Sequence, residues 1–221
     1  MNPEIWTAID EYFAGHLLPH DPALESALRE TSAAGLPPIQ VAANQGKLLM
    51  LLAMLRGAKR VLEIGTLGGF STIWLARGVG TGGHVTTLEL DPKHADVARK
   101  NIAAAGLSNV TVRVGAALAT LPELSREDAG PFDLVFIDAD KESSAEYFAW
   151  AMKLTRVGSV ILVDNVVRGG AVCDAASADP GVIGTRRVIE AIGREKRVTA
   201  TVLQTVGGKG YDGIAMAVVV T

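Results

Sequence analysis

The sequence predicts an α/β fold: a doubly wound, mostly parallel seven-stranded sheet with an antiparallel C-terminal strand. Two patterns predict it. From Arg60 to Asp164, short apolar runs that stop at a polar residue alternate with helical segments, which is typical of parallel sheets buried on both faces. The last two apolar runs, residues 198–206 and 213–220, are joined by a loop too short for a helix. We therefore expect these two strands to pair antiparallel.

The elements follow from local signals in chain order. Residues 3–35 are predicted to be helical with a break near Pro19 and Pro22, and apolar spacing predicts a helix over 41–55. The predicted strands are 60–64, 84–90, 109–114, 132–138 and 159–164, and the helices between them are 71–77, 92–105, 116–123 and 144–154. Residues 166–181, rich in Gly, Ala and Asp, carry no clear pattern. They are predicted to form a loop that covers the substrate.

Composition narrows the classes of function. The 221 residues, 48% of them hydrophobic, suffice for one large core, so we expect a single domain over 1–221. Twenty-one basic against 24 acidic residues give no reason to expect binding to nucleic acid or to a membrane. The single cysteine, Cys173, suits a reducing compartment. With no secretion signal and no long apolar segment, a cytoplasmic location is expected.

A glycine-rich turn after the first strand indicates a cofactor site. Residues 65–69 read G-x-x-G-G, and such glycines let a ligand approach the backbone at a helix N-terminus. The pattern differs from the G-x-G-x-x-G of dinucleotide enzymes, which counts against NAD. Glu89 ends the second strand, where a carboxylate can accept hydrogen bonds from ribose hydroxyls. Together they favour an adenosine-bearing cofactor, although a tight connection and a solvated carboxylate are the alternatives.

Polar side chains at the ends of the fourth and fifth predicted strands indicate a metal site. Asp138 ends one apolar run, and Asp164 and Asn165 end the next. Because parallel strands deliver their carboxyl ends to one edge, these three side chains are expected to converge. Their oxygen donors suit Mg²⁺, Mn²⁺ or Ca²⁺ rather than zinc. The alternative is a set of ordinary strand-end carboxylates. Asp140 is expected to point elsewhere, in a supporting role.

Several segments together resemble the metal-dependent O-methyltransferases, the family of catechol and caffeoyl-CoA O-methyltransferases. The matching segments appear in the family's order: Val61–Thr72, Thr87–Pro92, Phe136–Lys141, Val163–Asn165 and Gly207–Gly213. The resemblance extends from about Ile39 to the C-terminus. It implies a class I methyltransferase fold with a reversed last strand, which agrees with the hairpin deduced above.

The resemblance also implies roles for particular residues. S-adenosylmethionine (SAM) would lie along the first two strand ends, and its expected contacts are Glu63 and Gly65 at the methionine end, Ser71 near the carboxylate, Glu89 at the ribose, Ala117 at the adenine, and Asp138. Asp138, Asp164 and Asn165 match the family's metal ligands. The N-terminal helices over 3–35 would line the substrate mouth and contribute to a homodimer.

The expected reaction is methylation of one hydroxyl of a vicinal dihydroxy aromatic, a catechol-type or caffeoyl-type compound. Lys141 is predicted to take the phenol proton, with Asp138 as the second catalytic residue. Arg168, Tyr211 and Asp212 are candidate substrate contacts. Arg168 could bind an acidic tail or a CoA phosphate, and a solvated loop charge is the alternative. A nucleotide-dependent oxidoreductase and a catalytically silent SAM-binding protein remain as alternatives.

Overall fold

The computed structural model describes residues 2–221, so Met1, the first residue of the predicted domain, lies outside the described part. The helices are α1 (Pro3–Leu17), α2 (Pro22–Ala33), α3 (Ala43–Arg56), α4 (Phe70–Gly78), α5 (Pro92–Ala104), α6 (Ala117–Arg126), α7 (Ser144–Leu154) and α8 (Pro180–Arg194), with a 3₁₀ helix at Arg168–Cys173. The strands are β1 (Arg60–Ile64), β2 (His84–Glu89), β3 (Val110–Val114), β4 (Phe132–Ile137), β5 (Thr155–Asp164), β6 (Val198–Gly207) and β7 (Gly210–Val219).

The strands form one seven-stranded sheet in the order β3-β2-β1-β4-β5-β7-β6. Every neighbouring pair among β1–β5 is parallel. Strand β7 runs antiparallel to both β5 and β6. The predicted fold class and the predicted C-terminal hairpin are therefore confirmed.

Successive side chains of a strand point to opposite faces of the sheet, so the hydrophobic core consists of two clusters, one on each face. In β4, Val135 and Ile137 pack with α6, α7 and α8, whereas Leu134 and Phe136 pack with α2–α5 on the other face. All six residues of β4 are buried. This double burial explains why β4 reads as a continuous apolar run that ends where the sheet ends.

The chain order places a switch point between β1 and β4. From β1 the chain moves outward through β2 and β3, and it then returns to β4 on the other side of β1. The two strand ends are bonded to each other, because the Asp138 N–H donates to the Ile64 carbonyl at 2.8 Å. In doubly wound sheets, ligands bind in the crevice that opens at such a point.

Two segments differ from the sequence-based prediction. The predicted loop over 166–181 contains the 3₁₀ helix and the first residues of α8, a helix that apolar spacing did not predict. Helix α8 begins at an Asp-Pro pair, and Asp179 Oδ1 caps it by accepting the N–H of Gly181 at 2.7 Å.

At the hairpin, β7 begins at Gly210, which pairs with Gly207 at the end of β6. The connection is therefore a two-residue turn and not the six-residue loop that was predicted.

The predicted break of the N-terminal helices at Pro19 and Pro22 is confirmed, and α2 packs against α4 and α5. Helix α1 contacts α3 and β6. Asp10 on α1 accepts hydrogen bonds from the Asn44 side chain at 3.2 Å and from the Gly208 N–H at 2.9 Å. Within residues 2–221, every helix is too short or too polar to cross a membrane.

Candidate active site

A cavity of about 760 Å³ opens at the carboxyl ends of the central strands. Its walls come from the loops after β1, β2, β3, β4 and β5 and from residues 28–41. Eight of the predicted site residues line it, namely Gly65, Ser71, Glu89, Ala117, Asp138, Lys141, Asn165 and Arg168. The structure thus brings most of the predicted cofactor, metal and catalytic residues to one cavity; the predicted metal ligand Asp164 is not among its lining residues.

The glycine turn after β1 is packed too closely for other residues. Gly65 has φ +101°, and a Cβ placed there would lie 2.0 Å from the Asp138 carbonyl oxygen. A Cβ on Gly68 would lie 2.0 Å from Thr31 Oγ1. Asn101 fixes the same turn by donating to the Gly68 carbonyl at 2.9 Å. The glycines therefore let β1, β4 and α2 approach one another at the edge of the cavity.

Glu89 lines the cavity and accepts hydrogen bonds from the glycine turn. Its Oε2 accepts the backbone N–H groups of Thr66 at 3.1 Å and Leu67 at 2.8 Å. Its Oε1 accepts the Asp91 N–H at 3.0 Å and lies 3.6 Å from Nδ1 of His94. A carboxylate has about four acceptor positions, so Glu89 keeps capacity for a ligand hydroxyl. The strand-end carboxylate is thus an ordered part of the site.

Glu63 lies behind this turn and, unlike the other predicted cofactor residues, does not line the cavity. Its carboxyl group is fully buried, and Oε2 accepts hydrogen bonds from the hydroxyls of Thr72 and Thr87. Oε1 has no partner among the described residues. Burial raises the pKa of Glu63 to about 7, although hydrogen bonds from Thr72 and Thr87 oppose the change. Glu63 therefore braces β1, β2 and α4 from beneath the cavity.

Asp138 lines the cavity, whereas Asp164, the last residue of β5, is not among the lining residues. Lys141 Nζ donates to Asp138 Oδ1 at 2.9 Å. Asp164 is buried, and its oxygens accept one hydrogen bond each, Oδ2 from Gln45 Nε2 at 2.7 Å and Oδ1 from the Asn165 N–H at 2.8 Å. Burial and the negative charge of Asp138 both raise the pKa of Asp164. A cation between the two carboxylates would relieve this repulsion.

The donor set fits a hard divalent cation. Within residues 2–221 no cluster of three or more His, Cys, Asp or Glu side chains has metal-binding geometry. The predicted trio has only two carboxylates and completes its set with the amide of Asn165. Carboxylate and amide oxygens are ligands that Mg²⁺, Mn²⁺ and Ca²⁺ accept. The electrostatics and the chemistry of the donors are therefore compatible with the predicted metal.

The backbone beyond β5 is held in an unusual conformation. Asn165 and Arg168 have φ values of 57° and 56°, in the left-handed region that side chains disfavour. Asp212 Oδ1 accepts the N–H groups of Val167 at 2.9 Å and Arg168 at 3.0 Å. Asp212 and Tyr211 do not line the cavity. Their predicted substrate contacts stay a prediction, and the structure gives Asp212 a role in shaping the loop.

Several residues in or beside the cavity were absent from the sequence-based prediction. Gln45 comes from α3 and reaches Asp164, and His94 from α5 lies beside Glu89. Tyr147 on α7 donates its hydroxyl to Asp140. Burial opposes ionisation of Asp140, but hydrogen bonds from Ser143 and Tyr147 outweigh it and lower the pKa of Asp140. Asp140 therefore has its own partners, apart from the Asp138–Lys141 pair.

The sheet order, the reversed β7 and a cavity at the β1–β4 switch point are the features of a SAM-dependent methyltransferase fold. Comparison with known proteins specifies the family. The profile of the O-methyltransferase family matches residues 17–218. The chain therefore belongs to the O-methyltransferase family, and the class of enzyme expected from the sequence is confirmed.

Similar proteins cover nearly the whole chain. A catechol O-methyltransferase of Niastella koreensis is 51% identical over 220 residues, 99% of this chain and 100% of its own. A catechol O-methyltransferase of Mycobacterium tuberculosis is 54% identical over 212 residues, 96% of this chain and 94% of its own. The crystal structure of an O-methyltransferase from Bacillus cereus in complex with SAH has a TM-score of 0.97 and 55% identity, covering 99% of this chain and 100% of its own.

Proposed function

We propose that this chain uses SAM and a divalent cation to methylate one hydroxyl of a catechol-type substrate. The observation that carries the proposal is a cavity lined by Glu89, Asp138, Lys141 and Asn165, with the buried carboxylate of Asp164 directly before Asn165 at the end of β5. The relatives named catechol O-methyltransferase support the same substrate class. A caffeoyl-type substrate has the same pair of hydroxyls and belongs to the same proposal.

SAM, when bound, supplies an electrophilic methyl group. We assign its site to Gly65, Ser71, Glu89 and Ala117, all of which line the cavity. Gly65 presents a bare backbone there, and Glu89 offers its carboxylate to ribose hydroxyls, as the resemblance implies. Glu63 would act through the turn that it supports, because its side chain lies outside the cavity wall.

A divalent cation, when bound, acts as a Lewis acid that lowers the pKa of a phenolic hydroxyl coordinated to it. Asp138, Asp164 and Asn165 would hold this cation, Mg²⁺ or alternatively Mn²⁺ or Ca²⁺. Gln45 and the Asn165 N–H would keep the Asp164 carboxylate oriented toward it. The three side chains contribute oxygen donors only, which favours these cations over zinc.

Lys141 is the proposed general base. Its side chain lines the cavity, is mostly shielded from solvent and lies beside the proposed metal ligands. In the proposed mechanism the neutral amine takes the proton of the attacking hydroxyl. Asp138, 2.9 Å from Nζ, then stabilises the resulting ammonium ion. Asp138 therefore has two roles, as metal ligand and as partner of the base.

The substrate proposal predicts that catechol is methylated far more efficiently than phenol. Two adjacent oxygens fix the orientation of the ring, and such orientation effects reach several kcal/mol, so we expect kcat/KM to differ by about 100-fold or more. Both rates can be measured with methyl-labelled SAM and Mg²⁺. Similar kcat/KM values for the two compounds would contradict the proposal.

The same assays separate the two alternative functions. SAM binding without methyl transfer to any diol would indicate a catalytically silent SAM-binding protein. Binding of NADH but not of SAM would favour a nucleotide-dependent oxidoreductase.

We also propose that the chain forms a homodimer through the N-terminal helices of residues 3–35. Helix α1 buries none of its residues, although it carries several large apolar side chains, which are Ile5, Ile9, Tyr12, Phe13 and Leu17. An exposed apolar surface of this kind suits a second copy of the chain.

The proposed location is the cytoplasm, which agrees with the single cysteine, Cys173.

A further inference from the structure

Arg168 has a precisely held position at the metal end of the cavity. It lines the cavity three residues after Asn165. Its N–H donates to Asp212 Oδ1 at 3.0 Å, and its φ of 56° is a conformation that costs a residue with a side chain roughly 1–2 kcal/mol. The structure maintains this conformation at an arginine although glycines follow at 169 and 170. The backbone from which this side chain extends is therefore held in place.

The positive charge of Arg168 is not neutralised by the described residues. Its Nε is buried and has no hydrogen-bond partner. Within residues 2–221 no carboxylate lies within the 4.0 Å of an ion pair with its guanidinium, Asp212 included. The other basic groups of the cavity differ, because Lys141 pairs with Asp138 and His94 lies beside Glu89. Arg168 thus keeps donor capacity that a ligand can use.

The guanidinium of Arg168 lies beside the start of a helix. It lies against the first turn of α8, because a Cβ placed on Gly181 would be 3.5 Å from Arg168 Nη2. A helix N-terminus carries partial positive charge. Asp179 stands at this turn, where its Oδ1 accepts the N–H groups of Gly181 and Val182 as the cap of the helix and its negative charge offsets this partial charge. An anionic group in the cavity beside Arg168 would therefore be stabilised by the guanidinium itself.

We infer that Arg168 binds a carboxylate on the substrate, so that the preferred substrates are catechols that carry a carboxylic acid. A guanidinium matches the two oxygens of a carboxylate and forms paired, charge-assisted hydrogen bonds with it. The inference rests on the proposed function, because it places the two hydroxyls at Asp138, Asp164 and Asn165 and the carboxylate at Arg168. It adds a specificity-determining residue to that site.

The test compares an anionic and a neutral catechol of similar size, 3,4-dihydroxybenzoate and 3,4-dihydroxybenzyl alcohol. We expect the wild-type enzyme to favour the benzoate in kcat/KM. Arg168→Gln should reduce the ratio of the two kcat/KM values by about 10- to 100-fold, mainly through KM of the benzoate, as expected for a lost hydrogen bond to a charged group. Arg186→Gln is the matched control, because Arg186 on α8 is outside the cavity and its Nη1 donates to the Asp174 carbonyl at 3.3 Å. This control should leave the ratio unchanged.

The outcomes separate this inference from the proposed function. If the wild-type enzyme methylates both compounds but Arg168→Gln leaves their ratio unchanged, Arg168 does not bind the carboxylate and the inference is overturned alone. Equal losses on the two compounds would overturn it as well, because they would mark a structural role. If wild-type protein methylates neither compound in the presence of SAM and Mg²⁺, the proposed function fails together with the inference.

Discussion

At the residue scale, Asp164 is the most closely held group of the proposed metal site. Each of its carboxylate oxygens accepts one hydrogen bond from the protein, from Gln45 Nε2 or from the Asn165 N–H. The remaining acceptor positions of the carboxylate stay available to a cation. Gln45 therefore orients a proposed ligand without being a ligand itself, and it connects α3 to the end of β5.

Replacing Gln45 tests this orientation. Gln45→Ala should weaken binding of Mg²⁺ or Mn²⁺ by about 10- to 100-fold, the usual effect of losing a partner of a metal ligand. Calorimetric titration of the metal-free protein measures this directly. Asn44→Ala is the matched control on the same helix, because Asn44 bonds to Asp10 and not to Asp164. Equal metal affinities in the two variants would rule out the role assigned to Gln45.

The same residues show what a sequence can predict about a site. Asp138, Asp164 and Asn165 could be predicted, because each follows an apolar run whose end is set by the end of the sheet. Gln45 could not, because it lies 119 residues before Asp164 in the chain. Its pairing depends on how α3 packs against the sheet, and apolar spacing within α3 carries no information about that contact.

At the scale of elements, α8 supports the loop that carries Lys141. A Cβ placed on Gly184 would lie 2.1 Å from the Lys141 carbonyl oxygen and 2.6 Å from Glu142 Cα. These atoms belong to the backbone, so they cannot move aside as a flexible side chain would. The close approach of α8 to residues 141–142 therefore requires glycine at position 184.

Two glycines of α8 provide a paired test of this contact. Gly184→Ala should displace the Lys141 loop, lower kcat and reduce the free energy of unfolding by about 1–3 kcal/mol, as overpacking does. Gly193→Ala should preserve kcat and raise stability by up to about 1 kcal/mol, because a Cβ there meets nothing within 4 Å and alanine favours the helix. Urea unfolding and steady-state kinetics measure both effects. Identical behaviour of the two variants would contradict a positioning role for α8.

Helix α8 is an element that was not predicted from the sequence. Its start is marked by the Asp179-Pro180 pair, but these residues lie in a stretch of Gly, Ala and Asp that was predicted to be a loop. The central strands β1 and β4 were predicted more reliably, because burial on both faces makes each one a largely apolar run. Helix α8 does carry a one-sided pattern, with Val182, Val188 and Ile192 buried on one face, but the glycines at 181, 184 and 193 made the segment resemble a loop.

At the scale of the whole molecule, the sheet order explains why residues distant in sequence share one cavity. β1 and β4 are neighbours although two strands and three helices separate them in the chain. Their ends therefore place Gly65 against Asp138. The sequence allowed this convergence to be predicted from strand ends alone. The part of the wall at residues 28–35 falls in the N-terminal segment that was expected to line the substrate mouth, whereas its continuation at residues 39–41 was not predicted.

The central claim is that Asp138, Asp164 and Asn165 bind a cation on which methyl transfer depends. The most direct measurement is transfer from labelled SAM to catechol by metal-free protein, first in excess EDTA and then with Mg²⁺ or Mn²⁺ added back. We predict no turnover in EDTA and full recovery with the cation. Asp164→Ala should bind the cation weakly and recover little activity at the same concentration. Full activity of the metal-free wild-type protein in excess EDTA would contradict the claim.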